Sequence, residues 1–248
     1  MFPYLDFFPF LLVAIVAFFA SVVGGVAGYG TGLLLPPVLV PLIGAEAVVP
    51  VIGLSALMTN FSRLIAFRDQ LDWSKASYFA AVAIPTTVAG AYGYTLLSGP
   101  AVSILIGAVL IFLVPARYWL RRKSYTLQAR GLAVAGVGYG LVVGGTAGSG
   151  VVLISILMAA GLGGQAVIAT DAAISIIVGI VKSATFAARG ALPWDLVGMA
   201  VLIGVCATPG AFVAKRLALR LSGQAHILIL DAAVICGGAL LIWNGLGG

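Results

Sequence analysis

Charge is scarce in this chain. Charged residues make up 8% of its 248 residues, against about a quarter in an average soluble domain. Hydrophobic residues reach 62%, and the mean hydropathy is +1.19. This composition excludes an ordinary soluble domain and indicates an integral membrane protein that faces the lipid bilayer. The net charge of +6 does not indicate nucleic-acid binding, because the few cations are scattered and lie at the ends of apolar segments. Retention of basic loops on the cytoplasmic side explains them better.

Cysteine and histidine are also scarce. Cys206 and Cys236 lie in apolar runs with no CxxC motif, and are interpreted as small buried hydrophobic residues. The single histidine lies near a helix end, and the sequence contains no HExxH, no Ser/His/Asp set and no cluster with the spacing of metal ligands. We therefore expect no enzymatic activity, no cofactor and no metal site; a membrane enzyme or scaffold is the weakest alternative.

Apolar segments run through the whole chain. A membrane-spanning helix needs about 20 apolar residues at a rise of about 1.5 Å each. Residues 33–43 and 151–162 are shorter than that, and the first of them carries Pro36, Pro37 and Pro41. The pattern predicts an all-α integral membrane protein with about 8 to 10 membrane segments. The expected longer segments are 7–26, 45–67, 75–97, 101–120, 131–145, 165–187, 194–217 and 225–243.

The sequence repeats itself. Residues 24–44, GGVAGYGTGLLLPPVLVPLIG, recur 120 positions later as residues 144–164, GGTAGSGVVLISILMAAGLGG. We therefore predict one transporter domain (1–248) made by duplication, with repeat 1 at 7–120 and repeat 2 at 129–244. The residues of the first copy that are identical in the second are Gly24, Gly25, Ala27, Gly28, Gly30, Leu33, Leu42 and Gly44. At the same offset Ser55 matches Ser175, Gly90 matches Gly210 and Ala91 matches Ala211; Arg68 and Trp73 match Arg189 and Trp194 one position further on.

The distribution of cations distinguishes two topologies. If the short segments only dip into the membrane, the halves are parallel, and the basic residues near 215–220 fall outside. If those segments cross, or the chain reverses once more, the halves form an inverted repeat, and Arg189 is the one loop cation left outside. The positive-inside rule favours inversion, with the central basic loop in the cytoplasm and both termini outside. The cations then on the cytoplasmic side are Arg68, Lys75, Arg117, Arg121, Arg122, Lys123, Arg130, Lys215, Arg216 and Arg220.

The glycine-rich stretches indicate broken helices. Each glycine costs a helix about 1 kcal/mol relative to alanine, so residues 28–32 favour unwinding. We expect the next helix to start at Thr31 or Leu33, and at Val151 in the second half, with its N-terminal amides and dipole directed at an anion. Paired breaks of this kind indicate a transporter's binding site; close helix packing through small residues is the alternative. The predicted site residues here are Gly28, Tyr29, Gly30, Thr31, Gly148, Ser149 and Gly150.

Polar residues line one face of a predicted span beside the second break. Asp171, Ser175, Gly179 and Lys182 follow spacings of four, four and three, and so share a helix face. Asp171 and Lys182 are about 16 Å apart along the axis, too far to pair with each other. Each must therefore face water, a partner helix or a ligand, because a charge inside a span is costly and usually functional.

The first half carries a related polar face. Ser55, Thr59 and Ser62 follow the same spacing, with Val51 in the place of the aspartate. We expect the hydroxyls of Ser55, Thr59 and Ser175 to orient a substrate anion, and Arg63 and Lys182 to supply positive potential. Snorkelling to the interface is the alternative for both cations. Asp171, and more weakly Asp231 with His226 nearby, are the candidates for coupling to a proton or cation; Asn60 is interpreted as a helix-packing residue.

The chain resembles the sulfite exporter TauE/SafE family of membrane permeases. The resemblance rests on the GxAGxGxGLLLPPVL segment from Gly25, its echo at Gly145, the Ser55 helix and the basic middle loop, and covers residues 10–243. It implies a secondary carrier in the cytoplasmic (inner) membrane that exports a small sulfur-containing anion: sulfite, sulfoacetate or a related organosulfonate. The pattern departs from the usual glycines at Tyr29, Thr31, Ser149 and Val151. A passive anion channel, or a carrier for a small organic anion without sulfur, stays open as an alternative.

Overall fold

A computed structural model describes residues 7–27, 32–122, 127–218 and 224–247. Within these ranges the protein is all-α, as predicted, with ten α-helices, one 3-10 turn and no strand. The helices are α1 (Phe7–Ala27), α2 (Pro36–Ile43), α3 (Ala45–Phe67), α4 (Trp73–Tyr94), α5 (Gly99–Arg122), α6 (Ala129–Gly145), α7 (Gly150–Ala159), α8 (Gly164–Ala188), α9 (Trp194–Ala218) and α10 (Gln224–Gly247), with the 3-10 turn at Arg68–Gln70.

The longer helices agree with the predicted spans to within a few residues, because long apolar runs define them. Three stretches among the described residues are long and apolar enough to cross a membrane: Ala45–Gln70, Gly99–Ala116 and Gly164–Ala188. Further apolar helices are shorter, and large apolar side chains such as Phe112 and Trp243 lie exposed on the outside. The outer surface is therefore suited to lipid.

The two sets of five helices make the same contacts when they are exchanged. Helix α1 packs along α9, and α6 packs along α4 in the same way. Helix α3 contacts α9 as α8 contacts α4, and α2 contacts α3 as α7 contacts α8. Two further extensive interfaces join helices that occupy the same position in the two sets, α3 with α8 and α5 with α10. Each half therefore completes the other, and neither half forms a separate core.

Two pairs of corresponding helices, α3 with α8 and α5 with α10, run in opposite directions. In α3 and α8, Gly53 lies against Lys182 while Arg63 is bonded to Asp171, so one helix ascends as the other descends. Helices α5 and α10 are also antiparallel: a Cβ on Gly107 would lie 2.8 Å from Cγ1 of Ile242, and one on Gly245 would lie 2.7 Å from Cγ1 of Ile104.

Helices α4 and α6, in contrast, run parallel and approach closely through glycine. Gly136, Gly140 and Gly144 recur every four residues on α6. A Cβ at any of them would overlap α4; at Gly140 it would meet the carbonyl oxygen of Ala83. For these glycines, close helix packing is what the structure shows.

Candidate functional site

The second glycine break forms the tip of a helical hairpin. Helix α6 ends at Gly145, residues 146–149 are non-helical, and α7 then runs back towards the beginning of α6. The amide of Leu127 donates to the carbonyl of Ala159 at 2.7 Å, which ties the end of α7 to the segment before α6. The N-terminus of α7 therefore lies inside the bundle, alongside α6 and α8.

The two breaks meet through their backbones. Gly148 has φ +81°, a conformation that favours glycine, and a Cβ there would lie 2.8 Å from Cγ of Leu33. A Cβ on Gly32 would lie 2.5 Å from the amide nitrogen of Gly148. The end of the first break is thus pressed against the second. The predicted site residues Gly28, Tyr29, Gly30 and Thr31 lie outside the described residues.

Helix α7 directs amides into this junction. It begins at Gly150, one residue before the expected Val151, and its first in-helix amide bond runs from Val152 to the carbonyl of Ser149 at 3.0 Å. Helix geometry leaves the amides of Gly150 and Val151 without an acceptor inside the helix. Together with the positive end of the helix dipole, they make the α7 N-terminus attractive to an anion.

Helix α2 does not repeat this arrangement. It begins at Pro36, so the expected start at Thr31 or Leu33 was wrong. The proline ring suits the first positions of a helix, where an N–H is dispensable. Pro36 and Pro37 have no N–H, and the first amide to donate is that of Val38, to Leu35 at 3.0 Å. Among the described residues, the expected amide donors are therefore present at the start of α7 and not at the start of α2.

Lys182 lies buried at the second break. Its side chain is 4% exposed, and its Nζ donates to the carbonyls of Val143 at 2.8 Å and Thr146 at 2.6 Å. Val143 is in the last turn of α6 and Thr146 directly follows the helix, so both carbonyls lie at its C-terminal end, where helices leave acceptors unpaired and where the dipole favours a cation. The ring of Phe186 lies 5.8 Å from Nζ. The side chain does not extend outward, as snorkelling would require; it closes the end of α6.

Arg63 and Asp171 join α3 to α8. Nη2 of Arg63 lies 2.9 Å from Oδ2 of Asp171, and Nη1 donates to Oδ1 of Asn60 at 3.1 Å. The side chain of Asp171 is 2% exposed and that of Arg63 31%. The other carboxylate oxygen, Oδ1, is buried and has no hydrogen-bond partner among the described residues. Asn60, expected as a packing residue, positions the arginine.

Tyr139 is a member of this site that the sequence did not reveal. It lies on α6, is 4% exposed, and has its hydroxyl close to the side chains of Ser149 and Ser175 and its ring against Phe79. It is also near enough to Asp171 to interact electrostatically. A single tyrosine in an apolar run reads as core, and only the fold shows which polar groups its hydroxyl meets.

The hydroxyls of Ser55 and Thr59 bond to the backbone of their own helix, α3. Ser55 is buried and donates to the carbonyl of Ile52 at 2.9 Å, while Thr59 donates to Ala56 at 3.0 Å. Within the described residues, neither hydroxyl bonds to the polar side chains of α8. Their oxygens still have acceptor capacity, so the predicted role in orienting substrate stays a prediction.

Asp231 belongs to a different place in the fold. It is buried on α10, where it accepts a hydrogen bond from the hydroxyl of Tyr118 on α5. The side chain of His226 lies outside the described residues. The coupling role stays a prediction for both Asp171 and Asp231.

Comparison with known proteins gives one match. The family model "Sulfite exporter TauE/SafE" matches residues 13–241, nearly the whole chain. No curated protein and no solved structure matches. The match and the apolar helices together establish a multi-pass membrane permease of the sulfite-exporter type. The chain belongs to the sulfite exporter TauE/SafE family.

Proposed function

We propose that the chain is a secondary carrier that exports sulfite, sulfoacetate or a related organosulfonate by alternating access, with the anion bound where the two glycine breaks meet. The observation that carries this proposal is the direct approach of Gly32 to Gly148 beside the N-terminus of α7. Two breaks at one point, next to buried charge, are what a carrier needs for a single site reached from either side.

The donors around this junction suit a sulfur oxyanion. Sulfite and sulfonate groups each present three oxygens that accept hydrogen bonds in a pyramidal arrangement. The amides of Gly150 and Val151 supply donors at the α7 N-terminus, and the hydroxyls of Ser149 and Tyr139 lie beside them. Ser175 approaches from α8. In a water-poor site these donors replace the hydration shell that the anion gives up.

Two cations set the electrostatic potential of this site. Lys182 uses two of its three N–H donors on the carbonyls of Val143 and Thr146, so it acts on the anion mainly through its charge. Arg63 is one-third exposed and reaches the same polar face of α8 from α3. Both remain proposed substrate-binding residues. A positive charge attracts an anion more strongly in a buried site than in water, and this effect is larger for Lys182 than for the partly exposed Arg63.

The packing supports an inverted repeat. Corresponding helices α3 and α8 are antiparallel, as are α5 and α10, and contacts are preserved when the halves are exchanged. If α3 and α8 both cross the membrane, they cross it in opposite directions. In this proposal α2 and α7 carry the chain back to the side where α1 and α6 begin, so each half crosses an odd number of times; the basic loop after α5 is cytoplasmic and both termini are outside. Two inverted halves can exchange conformations, which opens the site alternately to each side.

Efflux from proteoliposomes tests the carrier. We expect radiolabelled sulfite or sulfoacetate to leave vesicles that contain the wild-type protein and to be retained by vesicles that contain Lys182→Ala. The matched control is Ser183→Ala, the neighbouring residue, which is buried and has no hydrogen-bond partner among the described residues. Unchanged efflux with Lys182→Ala would remove this lysine from the site. Electrical conductance far above carrier turnover would instead identify a channel.

A ligand screen tests the substrate class. A ligand that binds the folded state raises the apparent stability by mass action. We expect sulfite and sulfoacetate to raise the melting temperature of the purified protein more than sulfate, thiosulfate, taurine and simple carboxylates do. Stronger stabilisation by the carboxylates would overturn the assignment to sulfur anions.

A further inference from the structure

Only one of the two carboxylate oxygens of Asp171 takes part in its ion pair. Oδ2 is held by Arg63 at 2.9 Å, while Oδ1 is buried without a hydrogen-bond partner among the described residues. A buried carboxylate oxygen with no donor carries a desolvation penalty that nothing offsets. A site that only had to join α3 to α8 would gain by satisfying both oxygens. The open oxygen indicates that this carboxylate serves more than one arrangement.

The carboxylate lies close to where the substrate anion is proposed to bind. Tyr139 interacts with Asp171 and with Ser149, the residue that precedes α7. Helix α8, which carries Asp171, packs on α7 and on α3. Asp171 thus lies against a cation and on a helix that packs on α7; cations and helix N-termini are the two features that attract an external anion.

We propose that Asp171 is a tethered competitor of the substrate for Arg63. This inference rests on the proposed function. In the structure the carboxylate holds Arg63. When the substrate arrives, its oxygens replace the carboxylate on the guanidinium, and Asp171 loses its cation. A carboxylate 2% exposed to solvent cannot stay charged there without a partner. It binds a proton from water through Oδ1 or Oδ2, so one proton enters the site with each anion.

The groups around Asp171 leave Arg63 as its cationic partner. Helix α6 contributes the neutral hydroxyl of Tyr139. The start of α4 contributes Asp72 and Lys75, but they are bonded to each other at 2.7 Å, and only the backbone amide of Asp72 reaches α8, at 3.2 Å from Oγ1 of Thr170. Arg68 and Asp69 in the 3-10 turn are largely exposed. The segment of α7 carries no charged residue.

Proton uptake on binding is measurable by titration calorimetry. Purified protein is titrated with sulfoacetate, which is fully ionised at neutral pH, in Tris and in triethanolamine. Both buffers are cationic, because phosphate or sulfonate buffers would compete for the site. The difference between the two observed binding enthalpies, divided by the difference between the ionisation enthalpies of the two buffers, gives the number of protons taken up. We expect about one proton per anion, and an affinity that falls about tenfold per pH unit as the pH rises, since the ligand and the proton bind together.

Two aspartate variants separate coupling from binding. Asp171→Asn leaves Arg63 without its competitor, so we expect sulfoacetate to bind at least as tightly as to the wild type, with no proton uptake and no dependence on pH. Asp69→Asn makes the same change at an exposed carboxylate and is expected to behave as the wild type. Retained proton uptake in Asp171→Asn would overturn the proposal.

Measurements on the wild type alone distinguish a failure of this inference from a failure of the proposed function. Sulfoacetate binding without proton uptake, and with an affinity independent of pH, overturns the exchange at Asp171 while the proposed function stands. If neither sulfoacetate nor sulfite binds the wild type, the proposed function falls and takes this inference with it. These readings do not depend on whether Asp171→Asn folds.

Discussion

Replacing Gly148 by alanine tests whether the junction of the two breaks is as tight as the structure describes. Two separate costs arise. A residue with a Cβ at φ +81° pays about 1–2 kcal/mol for the left-handed conformation. The new methyl also overlaps Leu33, whose Cγ would lie 2.8 Å away, and overpacking of this kind costs about 1–3 kcal/mol.

The sum is a destabilisation of about 2–5 kcal/mol. At about 2–4 °C per kcal/mol for a chain of this length, the melting temperature falls by about 4–20 °C. The assay is thermal unfolding in detergent, followed by tryptophan fluorescence, with variants measured at one protein concentration and one heating rate.

The matched control lies two residues away. Gly150 is at the first position of α7, and a Cβ there meets nothing within 4 Å, so Gly150→Ala is expected to unfold at or slightly above the wild-type temperature. In a Leu33→Ala background the overlap with the Leu33 side chain disappears and a 3.3 Å contact with the carbonyl carbon of Gly32 remains, so Gly148→Ala then costs mainly the conformational part. A wild-type melting temperature for Gly148→Ala, or equal losses at both glycines, would refute this account of the junction.

Three further changes have distinct expected outcomes. Ser183→Ala removes a buried hydroxyl without a partner among the described residues, so its melting temperature should equal or exceed that of the wild type. Lys182→Ala should lower the melting temperature, because it leaves the carbonyls of Val143 and Thr146 unpaired; equal melting temperatures for the two variants would argue against the observed capping. Gly140→Val should abolish folded protein on gel filtration because it drives a side chain into α4, while Gly138→Ala, which faces open space, should elute as the wild type does. Asp72 caps α4, and hydrogen bonds from the side chain and amide of the lysine three residues on lower its pKa. Its stabilising contribution is therefore present above the pKa of the unfolded state, about 4, and is lost as the pH falls through the lower folded value. Asp72→Ala should cost about 1 kcal/mol at neutral pH and progressively less in acid; a cost that does not change with pH would contradict the ionised cap.

Much of the fold was predictable because apolar length is a strong local signal. The span at 45–67 coincides with α3, and the shared face of Asp171, Ser175 and Lys182 follows from helix geometry alone. The start of α2 was missed for a local reason as well. The glycines before it suggested an early restart, whereas the fixed φ of proline places the first helical residue at Pro36.

The partners of the polar residues were beyond sequence reasoning. Arg63 and Asp171 are more than a hundred positions apart, and no local pattern indicates that their helices pack antiparallel. Lys182 is predicted to supply positive potential, and that stays a prediction; only the fold shows that its ammonium donates to the carbonyls of Val143 and Thr146. Tyr139 gave no signal, since a hydroxyl in an apolar run acquires its role only from the serines that tertiary packing brings to it.

The pairing of α1 with α9 has a consequence for how the protein is made. Ser21 donates to the carbonyl of Ala207, 186 residues further along the chain, and Gly210 sits against the backbone of Phe18. Helix α1 leaves the ribosome well before α9 and meets this principal neighbour only after the intervening residues have been synthesised. Until then its polar serine and its contact face are left to lipid or to a chaperone. We therefore expect substitutions on this face to act late in biogenesis, giving inserted but unassembled chains that are degraded by membrane proteases.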